Sequence, residues 1–192
     1  ANQWIFDSWD VNALWTDPFT QSRAPALFVS FPSLRDPAHE PGPRKRHTAE
    51  LIALVDWSAF SQWDASEADG GMKKGAPAAT RSESYQAFKA LIEANLRAQF
   101  EAHFPELAKM IVASECSTPI SVATYTGAQH GAMYGLETTP RRFLSAALRP
   151  RTPIGGLFLA GQDAGSPGIT GAFFGGLMAA ANAEPRLYSL LR

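Results

Sequence analysis

Asp163 lies in a polar turn, Gln162-Asp163-Ala164-Gly165-Ser166-Pro167-Gly168, between the short apolar run Leu157-Phe158-Leu159-Ala160 and a stretch of helical periodicity. A carboxylate placed there can accept hydrogen bonds from sugar or ribityl hydroxyls. The free N–H groups at the start of the following helix, at the positive end of its dipole, favour an anionic group, most often a phosphate. Together these features suggest a nucleotide cofactor. The same spacing also suits a tight strand-to-helix connection whose glycines only permit close packing. A second stretch with chemical potential is Tyr125–Glu137, where three glycines, two tyrosines, Gln129 and His130 fall within one loop. A histidine can act as a proton donor or acceptor, but a solvent-facing loop histidine is the simpler reading of His130 from the residues alone. His39 and His47 have no further ligand at metal spacing, which points to surface or capping roles, and no metal site is expected. The chain contains no GxSxG elbow, P-loop, HExxH or CxxC, so hydrolase, NTPase and metalloprotease readings have no motif behind them. Pairs such as Asp7 and Asp10 carry no assignment without geometry.

These residues need elements to position them. Leu157–Ala160 has the length and punctuation of a buried strand. From about Ile169 to Glu184, Ile169, Phe173, Phe174, Leu177 and Met178 recur at helical spacing, with Gly168, Ala172, Gly175, Ala179 and Ala183 as a small-residue face suited to close packing. Upstream, the clearest helix is Glu83–His103, striped by Tyr85, Phe88, Ile92, Leu96 and Phe100 and limited by Pro105. That stripe is core and carries no chemistry. Strands are expected at Gln3–Phe6, Leu27–Phe31 and Met110–Ser114; Thr48–Val55 is ambiguous between strand and helix, its early break at Asp56-Trp57-Ser58 favouring a strand, while Ile120–Tyr125 suits a strand or a short helix equally. Thr138 or Thr139 before Pro140 should cap a short helix reaching about Leu148, with Arg141 and Arg142 either approaching a phosphate or, by default, facing solvent. The aromatic residues Trp4, Phe6, Trp9, Trp15 and Phe19 can wall an apolar substrate or simply pack under loops, the latter being the default for any one of them. Ser66–Ser82, rich in Gly and Lys, has the composition of a mobile surface loop.

The 192 residues are 45% hydrophobic and carry a formal net charge of −1. That is enough chain for a sizeable core, and the balance of charge provides no footprint for nucleic acid. Cys116 is the only cysteine, so an internal disulfide is impossible; we read it as a small buried hydrophobe. No apolar run approaches the roughly 20 residues that span a bilayer. A cytoplasmic protein is expected, with peripheral membrane association left open.

The sequence Leu157-Phe158-Leu159-Ala160-Gly161-Gln162-Asp163, then Pro167-Gly168-Ile169-Thr170-Gly171-Ala172 and a small-residue helix, resembles the C-terminal flavin motif of FAD-dependent oxidoreductases related to phytoene desaturase, carotenoid isomerase and retinol saturase, a group similar to amine oxidases. Thr118-Pro119, Gly131–Glu137 and Thr152-Pro153-Ile154 resemble the segments that lead into that motif. Leu27–Pro32, Asp36-Pro37 and Lys45–Thr48 are similar to the family's substrate-domain region. The resemblance implies FAD as cofactor, an apolar isoprenoid-like substrate and hydride transfer with the flavin. It further implies that Gly161 and Asp163 lie against the ribityl or pyrophosphate region, that the backbone of Gly168, Ile169 and Thr170 approaches phosphate or the flavin pyrimidine edge, and that Tyr134 and Gly135 line the ring. His130 would then lie near the ring as a candidate proton donor or acceptor.

The family's N-terminal GxGxxG turn is absent from these residues, and the chain begins at Ala1 without Met. The expectation is therefore an α+β fragment of an α/β flavoprotein. Residues 1–150 would form a substrate-domain-like mixed or antiparallel sheet backed by helices, and residues 151–192 a strand–turn–helix of the FAD domain. Such a piece would be incomplete alone, with the missing lobe supplied by another chain or its exposed surface covered in a homodimer. The alternative is a non-catalytic domain, a stable fragment or interaction module that keeps the fold without FAD.

Overall fold

The computed structural model describes residues 2–63 and 82–187. The chain divides into two compact units, Ala1–Gly131 and Ala132–Arg192. The expected loop at residues 66–81 lies outside the described residues, while Ser82 caps the following helix.

In the first unit, β1 (Gln3–Phe6), β2 (Ala26–Ser30) and β3 (Glu50–Ala53) form a three-stranded antiparallel sheet in the order β1-β2-β3. Trp4 pairs with Phe28, which pairs with Ile52 in turn. Because side chains alternate across a strand, this row lies on one face, and Ile5, Leu27, Leu51, Val29 and Ala53 lie on the other. Helix α1 (Glu83–His103) has the bounds that its apolar stripe predicts. Its N-terminus is fixed by Ser82, whose hydroxyl accepts from the Tyr85 N–H at 3.3 Å.

Helix α1 serves two apolar clusters. Toward its start, Tyr85, Phe88 and Ile92 pack with Ala59, Phe60 and Ile120. Toward its end, Leu96 and Phe100 pack on the sheet face carrying Leu27 and Val29. Gln99, 5% exposed, joins helix to sheet: its Oε1 accepts from the Ala24 N–H and its Nε2 donates to the Ala24 carbonyl, each at 2.9 Å. One side-chain amide thus satisfies both backbone groups of Ala24, just before β2.

Helix α2 (Pro105–Ala108) begins at the proline that ends α1. The strand expected at Met110–Ser114 is absent. Ile111 packs against the sheet cluster, but Met110 and Val112 are 71% and 76% exposed, and no neighbouring strand pairs with this stretch among the described residues. The Ile120–Tyr125 alternative resolves as helix: α3 (Pro119–Thr126) has Thr118 as N-cap, Pro119 in its first turn and left-handed Gly127 at its end.

In the second unit, α4 (Pro140–Leu144) is shorter than expected. Ser145 adopts an extended backbone, φ −72° and ψ 117°, and only a 3-10 turn, Ala146–Leu148, follows. The expected strand Leu157–Ala160 is reduced to one antiparallel bridge between Phe158 and Arg151. A parallel-type strand owes its regularity to neighbours on both sides, and the described residues of this unit supply none. Helix α5 (Gly168–Ala183) closes the unit. The described residues thus give an α+β fold whose sheet is wholly antiparallel.

Candidate functional site

The turn that carries Asp163 is shaped by the helix behind it. The N–H groups of Ala164 and Gly165 both donate to the Gly161 carbonyl, at 3.2 and 3.0 Å, which curls the chain back. The buried face of α5 is Gly171, Gly175 and Ala179, at four-residue spacing. A Cβ on Gly171 would collide with the Ser166 carbonyl, and one on Gly175 with the Gly161 carbonyl. The small-residue face predicted from Gly168, Ala172, Gly175, Ala179 and Ala183 is therefore rotated slightly, and what it packs against is the polar turn itself.

Asp163 meets the loop before α4. Its Oδ1 accepts from the Leu136 N–H at 2.9 Å, while Oδ2 has no hydrogen-bond partner among the described residues. Gly135 sits directly against it: a Cβ there would strike Asp163 Oδ1, and φ of +71° already favours glycine. Of the predicted cofactor residues, Gly135, Gly161 and Asp163 are thus brought together in one knot of loops. Tyr134, adjacent in sequence, is 60% exposed.

Gly168, Ile169 and Thr170 form the first turn of α5. Pro167 supplies no side-chain acceptor for their N–H groups, which leaves the helix start uncapped. Gly168 has φ +86°, and a Cβ there would meet nothing within 4 Å. Ile169 is 91% exposed and Phe173 66%, so the apolar stripe of α5 faces outward while Gly171 and Gly175 face the polar turn.

Arg142 departs from expectation. It is 7% exposed rather than solvent-facing, unlike its neighbour Arg141. Its Nη1 donates to the Leu136 carbonyl, its Nη2 donates to the Gln162 carbonyl at 2.5 Å, and Nη2 stands 3.9 Å from Asp163 Oδ1. Its Nε is buried without a hydrogen-bond partner among the described residues. The signal that could have found it is the capped start Thr139-Pro140, which sets the direction of the third residue of the helix, but burial itself depends on the loops that fold over it.

His130 belongs to the first unit. It adopts φ +54°, uncommon for a residue with a side chain, and its ring stacks on Trp57 with centroids 5.1 Å apart. The next residue, Gly131, lies against the Pro119 backbone, where a Cβ would collide with the Pro119 carbonyl. In the same unit, Cys116 borders a cleft of about 360 Å³ together with Lys89, Glu115 and Ser121. Burial pushes its thiol pKa up, nearby Lys89 pulls it down and Glu93 raises it further. Among the described residues no group of three or more His, Cys, Asp or Glu side chains is placed to hold a metal ion, and no helix is long and apolar enough to cross a membrane.

No protein-family model and no solved structure matches the chain. It is similar to curated proteins named all-trans-retinol 13,14-reductase. The match is 31% identical with that of Homo sapiens over 88% of this chain and 27% of that protein, and 30% with that of Danio rerio over 80% and 24%. A Danio rerio protein named inactive all-trans-retinol 13,14-reductase is 28% identical over 84% of this chain and 25% of its own length. The chain spans about a quarter of the length of these relatives. It is thus homologous, along most of its own length, to a part of the all-trans-retinol 13,14-reductases, the retinol saturase branch that its motifs resemble.

Proposed function

We propose that the chain is the C-terminal part of a retinol saturase-like, FAD-dependent oxidoreductase that acts on an apolar, isoprenoid-like substrate. The observation that carries this reading is the placement of Asp163. One carboxylate oxygen is fixed by the Leu136 N–H and the other has no hydrogen-bond partner among the described residues, in a side chain 51% exposed, on a turn packed against the first turns of a helix whose start has no side-chain cap. An acceptor for hydroxyls beside uncapped N–H groups fits a ligand that carries both a polyol and a phosphate. FAD has both, and when bound it would supply the hydride chemistry. Asp163 would hold a ribityl or ribose hydroxyl. The first turn of α5, from Gly168 to Thr170, would offer its N–H groups to phosphate, with Gly168 leaving room for close approach. Gly161 would lie against the same ribityl or pyrophosphate region, and Tyr134 and Gly135 would line the ring. His130, pinned against Trp57, is the candidate for moving a proton.

The test is the visible absorption spectrum of the purified chain after incubation with excess FAD and removal of what stays unbound. Retained flavin bands, weakened about tenfold in affinity by Asp163→Ala, are the expected result. Loss of all flavin on washing would remove cofactor binding by this chain alone.

A second reading is favoured by exposed apolar side chains: Ile169 91%, Leu144 81%, Phe173 66% and Tyr134 60% in the second unit. Exposed apolar side chains mark an interaction face where they form one contiguous patch. In this reading the chain is an interaction domain without chemistry of its own, its face covered by the remaining lobe on another polypeptide or by a second copy. A colourless protein that ignores FAD and runs as a dimer would favour it.

A further inference from the structure

We propose that Arg142 is a positioning residue, which locks the 135–136 backbone to the 162–163 turn and thereby aims the free oxygen of Asp163 outward. The inference rests on the reading of Asp163 as a ligand acceptor, but its geometric half stands apart from that reading. The contacts close a ring. Leu136 gives its N–H to Asp163 Oδ1 and takes Arg142 Nη1 on its carbonyl; Arg142 Nη2 takes the Gln162 carbonyl and approaches Asp163 Oδ1. Four groups from three segments are thereby fixed relative to one another. With Oδ1 committed inside the ring, Oδ2 is the oxygen available to a ligand.

The energetics argue for position over stability. A guanidinium remains charged under all ordinary conditions, and its desolvation here is only partly offset. Two neutral carbonyls accept from it, the Phe143 ring lies under it with its centroid 5.7 Å from Cζ, the one carboxylate is 3.9 Å away, and Nε has no hydrogen-bond partner among the described residues. A hydrophobic side chain of similar volume would fill the same space without that cost. What it could not do is donate at once, through a rigid planar fork, to two carbonyls on different loops. Lysine, a compact point charge on a flexible stem, could not do so either.

The experiment compares the 192-residue chain with Arg142→Met, Arg142→Lys and the double variant Arg142→Met with Asp163→Asn. Hydrogen exchange is read at the Leu136 amide, with the α5 amide of Ala179 as control, and FAD affinity by titration. Expected for Arg142→Met is an about tenfold faster exchange at Leu136, unchanged protection at Ala179 and an about tenfold weaker hold on FAD. Arg142→Lys should restore neither, and Asp163→Asn should weaken FAD little further once Arg142 is gone. Unchanged Leu136 exchange would overturn the proposal, as would equal loss of protection at Ala179, which would make Arg142 a general support of the unit. If Arg142→Met does not fold, Arg142→Lys decides by the same two amides. If the unaltered chain takes up no FAD, the cofactor reading fails, and the Leu136 exchange result still decides whether Arg142 locks the turn.

Discussion

At the scale of the residue, the titratable group with the clearest environment is Cys116. It is 8% exposed, and burial is the main cause of its raised thiol pKa. A folded-state pKa above the unfolded one favours the protonated form on folding. The stability this contributes is fully present below the ordinary thiol range, about 8.5, and is lost as pH rises through the higher folded value. Urea midpoints should therefore fall from about pH 8.5 upward, and Cys116→Ala should flatten that limb relative to its own neutral value. At neutral pH the folded thiol should react slowly with iodoacetamide and the unfolded chain much faster. Equal rates would show that Cys116 is not held as described.

At the scale of the element, α5 illustrates how little of a helix's role is carried by its periodicity. Gly175 and Gly176 are neighbours, yet a Cβ at Gly175 would collide with the Gly161 carbonyl while one at Gly176 would meet nothing within 4 Å. Gly176→Ala should stabilise the chain by about 0.5–1 kcal/mol through helix propensity. Gly175→Ala should cost about 1–3 kcal/mol by pushing the turn off the helix. Thermal melts of the two variants measure the difference, and a stabilised Gly175→Ala would show that the turn yields freely. The helix itself was legible in sequence, as was α1, because apolar residues recurring at helical spacing are a local signal. Helix α3 was left open by its residues, which suited a strand as well; only the structure shows Thr118 capping its start and left-handed Gly127 ending it. The fate of Leu157–Ala160 was not legible, because an apolar run becomes a strand only when a neighbour pairs with it, and among the described residues only Arg151 does. The Met110–Ser114 stretch fails for the same reason. At the site, sequence singled out Asp163 and Gly135 separately and missed Arg142, whose burial is made by the loops on either side of it.

At the scale of the whole molecule, the first unit has two apolar clusters but one long helix through both. Neither cluster can lose its share of α1 without fraying the other. Phe100→Ala, expected to cost about 3–5 kcal/mol, should accordingly lower the protection of Val29 in the sheet and of Val122 in α3 together. Separate midpoints for those two amides would mean that the clusters melt independently. Gln99 carries a consequence for the order of folding. Its amide grips Ala24 across 75 positions of chain. Helix α1 can form from local contacts, but this clasp must wait until β2 has been brought to it, and closing so long a loop is slow although its entropy grows only weakly with length. Gln99→Leu should thus hasten unfolding and leave the refolding rate nearly unchanged in stopped-flow kinetics, the signature of a fastening made after the transition state has passed.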